Sequence, residues 1–196
     1  MDRPPQTPIG WFRLLAEERP ADYRPSERSL AARVPWPAGF DPERNPVFAH
    51  NVLDLSVDAA AVFEILVSAL AWPSFYPNSA DVRIGDGQAG ALGPGTSFTW
   101  TTFAVSQQSR VTLFKRDAAL GWTADSPGTR AYHRWLLEDL PGTGCRVVTE
   151  ECQFGPLAWI GRRWMNPSLR AAHQLWLERL SKQAERASPS SIGSRS

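Results

Sequence analysis

The sequence has few cysteines and no long apolar run. Only two of its 196 residues are cysteine, Cys145 and Cys152, and both fall in one predicted strand. An extended strand would hold them about 23 Å apart, which is beyond the reach of a disulfide bond. Because there is no bridge, no Cys-x-x-Cys motif and no apolar leader in the opening MDRPPQTPIG, we expect the chain in the reducing cytoplasm.

An excess of one charge is also lacking. The 21 Lys and Arg residues nearly balance the 20 Asp and Glu residues, and the formal net charge is +1. Such a balance provides no attraction for nucleic acid. No apolar run approaches the ~20 residues that span a bilayer. We therefore expect neither nucleic-acid binding nor membrane insertion, and the sequence leaves open whether the chain is a monomer or a homodimer.

Aromatic residues, in contrast, are numerous. The chain contains nine Trp, nine Phe and three Tyr, and they recur on predicted strands. Large aromatic side chains either fill an ordinary core or line a cavity that binds an apolar ligand. The sequence leaves both interpretations open.

Proline content divides the chain. Residues 1–46 are rich in proline and predict a partly disordered arm, with a short amphipathic helix at Trp11–Arg19. Trp36 and Phe40 are candidates for anchoring this arm on the domain, although a mobile tail fits the composition equally. Residues 47–187 form the predicted folded domain, and the Ser-rich residues 188–196 predict a disordered tail.

The predicted domain begins with a strand followed by two short helices. Val47–Val57 alternates apolar and polar residues at its centre, as a half-buried strand does. Asp58 then provides a typical N-cap for the apolar helix AAAVFEILVSAL. Leu70–Asn78 contains two prolines and suits a second short helix or a turn.

The rest of the domain predicts a sheet and a long helix. Short runs separated by turn residues predict an antiparallel meander, namely Ala80–Gly85, Thr96–Phe103, Ser106–Lys115, Leu120–Asp125 and the hairpin Arg130–Phe154. Pro156–Ala187 is predicted to be helical, with a break or kink near Asn166 because Pro167 cannot donate a backbone hydrogen bond. The order predicts an α+β fold in which a curved antiparallel sheet of about seven strands wraps around the C-terminal helix.

This order of elements, together with several local stretches, resembles the START-type helix-grip superfamily, also called SRPBCC or polyketide cyclase/dehydrase-like, in its bacterial type. The stretches are LSVDAAAVFEILVSALAWPSFYPNSADVRI, LGPGTSFTW, RAYHRWLLE and VVTEE, followed by the C-terminal helix. The resemblance covers roughly residues 47–187 and implies a hydrophobic ligand cavity under that helix. It does not imply one function, since members include lipid and hormone binders, aromatic polyketide cyclases and chaperone activators.

The register of the Arg130–Phe154 hairpin decides which side chains share the inner face of the sheet. An even-length turn between Leu140 and Cys145 would place Leu137 opposite Val148, Trp135 opposite Glu150 and His133 opposite Cys152. His133 and Glu150 would then lie diagonally across the inner face, within reach of each other. An odd-length turn would bring Glu151 inward instead; we favour the even turn.

The even register predicts one functional and one structural pair. His133 and Glu150 would form an acid–base unit suited to aldol cyclisation or dehydration of a polyketide-like substrate. Alternatively, both groups would only be neutralised and hydrogen-bonded inside the sheet. Arg134 and Glu151 would form an exposed salt bridge of little energetic value, and His50, near the start of the first strand, would point outward into solvent.

Ligand contacts are predicted for aromatic and histidine side chains facing the same interior. The candidates are Tyr76, Trp100, Trp122, Trp135, His173 and Trp176. An ordinary core or turn role remains open for each of them. A set of His133, Glu150 and His173 would resemble the two-histidine, one-carboxylate group of metalloenzymes, but no ligand-spacing motif is present. We therefore expect no metal and no cofactor.

Three functions remain as hypotheses. The first is binding of an apolar or aromatic small molecule, lipid-like or polyketide-like, between the sheet and the C-terminal helix. The second is a cofactor-independent cyclase or dehydratase, a lyase or isomerase by type, that uses the predicted histidine and glutamate pair. The third is a protein-interaction module with a filled core and a Pro-rich arm. The sequence does not decide whether the chain is an enzyme.

Overall fold

The computed structural model describes residues 34–85 and 90–187. The predicted helix Trp11–Arg19 and the predicted tail at 188–196 lie outside the described residues. Within this part of the chain, no helix is long and apolar enough to cross a membrane.

Residues 34–85 and 90–187 form one antiparallel sheet and three α-helices. The strands are β1 (Val47–Leu55), β2 (Ala80–Ile84), β3 (Ser97–Thr102), β4 (Val105–Lys115), β5 (Ala119–Ser126), β6 (Thr129–Leu140) and β7 (Gly144–Phe154). The helices are α1 (Ala59–Val67), α2 (Trp72–Phe75) and α3 (Pro156–Ala187), and a 3₁₀ turn, Ala69–Ala71, precedes α2. The sheet has seven strands in the order β1-β7-β6-β5-β4-β3-β2. The predicted helix-grip α+β fold is confirmed.

Local chemistry explains where α1 begins. Asp58 has extended backbone angles, and its Oδ1 accepts a hydrogen bond of 2.7 Å from the backbone N–H of Ala61. This cap satisfies one of the N–H groups that a helix start leaves without an intrahelical partner. Val62, Phe63 and Leu66 are fully buried, so the apolar face of α1 packs into the core and closes one end of the sheet.

Helix α3 provides the other wall of the core. Its buried residues include Leu169, Ala172, His173, Trp176, Leu180 and Ala184, whose spacing places them on one face of the helix. Of the predicted break or kink near Asn166, the break is wrong, because α3 continues through Pro167; the kink stays a prediction. Asn166 ties the helix to β1 there: its Nδ2 donates to the carbonyl of Pro46 at 3.0 Å, and its Oδ1 accepts from the N–H of Phe48 at 2.9 Å.

The turn between β6 and β7 has an odd length. Leu140 pairs with Gly144, and three residues, Pro141 to Thr143, connect them. Pro141 and Gly142 occupy the central positions of a tight turn closed by the Thr143 N–H and the Leu140 carbonyl at 3.0 Å. Gly142 has a φ of 75°, which the second central position of a type II turn requires.

The predicted hairpin register is therefore wrong by one residue. His133 pairs with Glu151, and Arg134 pairs with Glu150. Because side chains alternate along a strand, the shift moves Glu150 to the outer face and brings Glu151 inward. The sequence did contain this alternative, which follows when Gly144 is counted as the first residue of β7 and not as a fourth loop residue.

Residues 34–46 lie on the outer face of the sheet. The Phe40 ring packs 5.5 Å from the Tyr132 ring and 5.2 Å from the Phe154 ring. Trp36 packs 5.9 Å from Tyr132 and lies 3.9 Å from the guanidinium carbon of Arg134. These aromatic and cation–π contacts cover polar groups on the outer face that would otherwise meet water.

Candidate functional site

A large apolar cavity lies between the concave face of the sheet and α3. Its volume is about 1010 Å³. Residues from β3, β5, β6, β7 and α3 line it, together with Tyr76 at the end of α2. The volume lies at the upper end of the range for small-molecule sites, so the described part of the chain does not have a filled interior.

Aromatic rings form one wall of this cavity. Tyr76 stacks on Trp176 with ring centroids 4.3 Å apart and planes 12° apart. Trp100 and Trp122 lie 5.7 Å and 6.5 Å from Trp176. All four line the cavity, and their contact with a ligand stays a prediction.

Two of these rings also present polar atoms. The buried indole N–H groups of Trp122 and Trp176 have no hydrogen-bond partner. A buried donor without a partner costs free energy, so an acceptor atom on a bound molecule would stabilise either group.

Trp135 does not line the cavity. It is fully buried between the rings of His133 and Trp176, with centroid distances of 5.3 Å and 5.1 Å. The residues that line the cavity do not include Trp135. The predicted ligand contact is thus replaced by a supporting role, in which Trp135 holds the two rings that do face the cavity.

His133, Glu151 and His173 form the polar cluster of the cavity wall. The Nδ1 of His133 is 3.4 Å from Oε2 of Glu151, and the Nε2 of His173 is 3.3 Å from the same oxygen. The two imidazole rings stack with centroids 4.6 Å apart and planes 12° apart. The Nε2 of His133 is 2.8 Å from Oγ1 of Thr149, which fixes the orientation of this ring on the inner face.

Burial sets the protonation of His133. Loss of solvation, reinforced by the nearby His173, holds the pKa of His133 well below its usual range. Glu151 accepts a hydrogen bond from the side-chain amide of Gln153. No Arg or Lys forms an ion pair with Glu151 among the described residues. The carboxylate therefore depends on imidazoles and an amide for its stabilisation.

Tyr76 adds a hydroxyl near the same wall. Its O–H is 3.4 Å from the carbonyl of Ala172, to which it donates, and it accepts from Nδ2 of Asn78 at 3.1 Å. Complete burial raises the pKa of Tyr76, with a smaller contribution from the charge of Glu151. The group is therefore a neutral phenol at physiological pH.

Glu150 lies in a separate cluster on the outer face, and its predicted pairing with His133 is wrong. Its Oε1 is 2.7 Å from Nδ1 of His50, and its Oε2 is 2.6 Å from Nη2 of Arg134. Burial would raise the pKa of Glu150, but the hydrogen bonds and charges of His50 and Arg134 outweigh burial and lower it. The predicted exposed pair of Arg134 with Glu151 is likewise replaced by a buried pair with Glu150.

His50 points outward, as predicted, but it is not solvated. The side chain is buried, and its Nδ1 contacts Glu150 of the neighbouring strand β7. The prediction failed because an alternating pattern identifies the face of a sheet and not what covers that face.

The inner cluster also offers a set of metal ligands. One atom each from His133, Glu151 and His173 can be chosen so that all three lie within 4.8 Å of one another. Two imidazole nitrogens and one carboxylate oxygen suit several divalent transition ions. The ligand set considered from the sequence contains the same two histidines, with Glu150 in place of Glu151.

The rim of the cavity was missed by the sequence analysis. Leu157, Ile160 and Trp164 line the cavity and are 52%, 72% and 65% exposed. Their spacing of three and four residues places them on one face of α3. That spacing is present in the sequence and could have identified the rim.

Comparison with known proteins identifies the fold. No protein-family profile matches the chain, and no curated protein sequence matches it. Solved structures do match. A hypothetical protein from Helicobacter pylori is 26% identical, with a TM-score of 0.71 over 77% of this chain and 95% of that chain.

Two further structures carry more informative names. An aromatase/cyclase from Streptomyces sp. R1128 is 15% identical, with a TM-score of 0.63 over 75% of this chain and 98% of that one. A START superfamily protein from Mycobacterium smegmatis is 10% identical, with a TM-score of 0.61 over 72% and 99%. The chain has the START and polyketide cyclase-like helix-grip fold. At these identities the likeness defines the fold alone.

Proposed function

We propose that this protein binds an apolar or aromatic small molecule in the cavity between the sheet and α3. The observation that carries the proposal is the cavity of about 1010 Å³ with its wall of Tyr76, Trp100, Trp122 and Trp176. Burial of apolar ligand surface provides roughly 25 cal/mol per Å², so such a wall can bind a lipid-like or polyketide-like molecule without a charge pair.

Polar atoms on the wall restrict the ligand further. The indole N–H groups of Trp122 and Trp176 are donors without partners, and His133 and His173 present nitrogens at the same wall. A ligand that carries one or two oxygen atoms on an otherwise apolar body would satisfy these groups. The exposed apolar residues Leu157, Ile160 and Trp164 form the rim through which it would enter.

A fluorescence titration with N-phenyl-1-naphthylamine, a neutral aromatic probe, tests the proposal. We expect saturable binding at one site. Ala131→Phe and Ala172→Phe add a ring to residues that line the cavity, and each should weaken probe binding at least tenfold. Ala187→Phe, which adds the same ring at an exposed position of α3, is the matched control and should bind as the unmodified protein does.

Two outcomes of this titration would count against the proposal. Absence of saturable binding, or equal binding by Ala131→Phe, Ala172→Phe and the unmodified protein, would contradict a ligand cavity. Circular dichroism of each variant distinguishes loss of the cavity from loss of the fold.

A second candidate is a cofactor-independent cyclase or dehydratase, and the contact between His133 and Glu151 in the cavity wall favours it. One of the two groups would take a proton from a carbon beside a carbonyl. The carbanion would attack a second carbonyl carbon, and the proton would return to the new alkoxide. Dehydration would then remove that oxygen as water, together with a proton from carbon, so no oxidant or cofactor is consumed.

Turnover of a synthetic linear poly-β-ketone tests this second candidate. His133→Ala and Glu151→Gln should abolish cyclisation while probe binding persists. Glu150→Gln changes the neighbouring carboxylate on the opposite face and should retain cyclisation if the variant folds. Cyclisation that survives both inner-face substitutions would rule out the mechanism.

The third hypothesis, an interaction module with a filled core, loses its premise because the interior contains a cavity.

A further inference from the structure

We propose that His133, Glu151 and His173 bind one divalent first-row transition ion, with an open coordination position toward the apolar cavity. The ligand atoms are Nδ1 of His133, Oε2 of Glu151 and Nε2 of His173. This inference revises the expectation of no metal that the sequence produced. It does not rest on the proposed function, because ion binding is measured without an apolar ligand.

Distances between the ligand atoms support the proposal. Metal–nitrogen and metal–oxygen bonds of about 2.0–2.2 Å in a tetrahedral zinc site place neighbouring ligand atoms about 3.4 Å apart. The two distances to Oε2 of Glu151 are 3.4 Å from His133 and 3.3 Å from His173. Two of the three distances between the proposed ligand atoms are thus already at the length that a bound ion requires.

The third distance, between Nδ1 of His133 and Nε2 of His173, requires a rotation of one imidazole ring. The imidazole planes are only 12° apart, whereas two nitrogens that share an ion must both direct their lone pairs toward it. His133 is oriented by Thr149 through a 2.8 Å contact. His173 is contacted through Nε2 by Glu151, and its Nδ1 has no partner. His173 is therefore the ring that turns on ion binding.

The electrostatics of the cluster favour a cation. The Glu151 side chain is only 13% exposed, and buried carboxylates are normally paired with a charge or bound to a metal. Neither Arg nor Lys provides that charge among the described residues. The Nδ1 atom of His133 is buried and has no hydrogen-bond partner, so its ring can present a lone pair to an ion.

Outer contacts resemble those that orient metal ligands. The Nε2 of His133 is held by Thr149, and the second oxygen of Glu151 accepts from Gln153. Such partners fix the tautomer of a ligating histidine and the rotamer of a carboxylate. Three protein ligands leave at least one position of the ion open. Because all three residues line the cavity, that position would bind an oxygen atom of the cavity ligand.

Metal titration of the full chain, without an affinity tag and after dialysis against EDTA, tests the inference. Zn²⁺ binding is followed by calorimetry and Co²⁺ binding by its visible absorption. We expect one equivalent of either ion. Removal of a mere outer contact costs roughly 10–100-fold in metal affinity, so His173→Ala and the isosteric Glu151→Gln should each weaken binding at least tenfold.

Two further variants complete the test. His50→Gln removes the one histidine outside the cluster and should leave metal affinity unchanged, which controls for adventitious binding. Thr149→Val should weaken binding roughly tenfold through the orientation of His133. The inference is overturned if the unmodified protein shows no saturable binding of either ion, or if folded Glu151→Gln and His173→Ala bind as tightly as the unmodified protein.

Discussion

Adjacent glutamates on β7 have opposite environments. Glu150 faces outward, where it pairs with Arg134 and contacts His50. Glu151 faces inward, where two imidazoles and an amide contact it. Alternation of side chains along a strand is sufficient to separate them. One residue thus serves the stability of the sheet, and its neighbour belongs to the cavity.

The outer cluster should be important for stability. Arg134→Met leaves the buried Glu150 without its guanidinium partner, and breaking a buried pair in this way costs roughly 3–5 kcal/mol. Arg146→Met removes a pair with Asp54 that is 32% and 48% exposed, and exposed pairs are worth about 1 kcal/mol or less. Urea unfolding of both variants should show this difference, and equal losses would contradict the assigned role of Arg134.

The two thiols should be inert in the folded protein. Burial, assisted by nearby carboxylates, raises the pKa of Cys145 to about 12, and burial also raises the pKa of Cys152 to about 12. At pH 8 roughly one thiol in ten thousand would be ionised, and the thiolate is the reactive form. Mass spectrometry after iodoacetamide treatment should find both residues unmodified without denaturant and modified in urea. Rapid labelling of either thiol in the folded state would contradict this account.

At the scale of elements, the length of one turn determines which glutamate faces the cavity. The turn after β6 has three residues, and the register that follows pairs His133 with Glu151. A four-residue turn would have placed Glu150 in the cavity and Glu151 on the surface. The chemistry of the cavity wall is therefore coupled to backbone conformation at Gly142 and Gly144.

Substitutions in this turn should reveal that coupling. Gly144 has a φ of 122°, and a Cβ there would lie 1.9 Å from the carbonyl oxygen of Leu55. Gly144→Ala should lower the free energy of unfolding by at least about 3 kcal/mol. Gly142 has a φ of 75° with no atom within 4 Å of a built Cβ, so Gly142→Ala should cost only about 1–2 kcal/mol. Comparable losses in urea unfolding would contradict the close approach at Gly144.

Sequence reasoning located the elements better than it located their partners. The alternation in β1, the Asp58 cap and the turn residues of the meander are local signals, and the strands lie close to their predicted bounds. The hairpin register depends on whether Gly144 belongs to the loop or to the strand, and the apolar pattern tolerates either choice because the two glutamates stand side by side between Thr149 and Cys152. Pro167 was a misleading signal, because packing and the Asn166 hydrogen bonds keep α3 continuous around it.

At the scale of the whole molecule, sheet and helix enclose a cavity rather than a filled core. The abundance of aromatic residues allowed both outcomes. Trp135 is fully buried and does not line the cavity, whereas Trp100, Trp122 and Trp176 form part of its wall. This division depends on how far α1 and α3 each extend over the sheet, which is a property of three-dimensional packing and has no signature in the sequence.

A crystal structure of the protein grown with saturating N-phenyl-1-naphthylamine tests the central claim most directly. The account predicts density for one probe molecule between Trp100, Trp122 and Trp176, with its N–H toward the imidazole of His133. An interior filled by side chains, or probe density only on the outside of the domain, would contradict the assignment of a ligand-binding cavity.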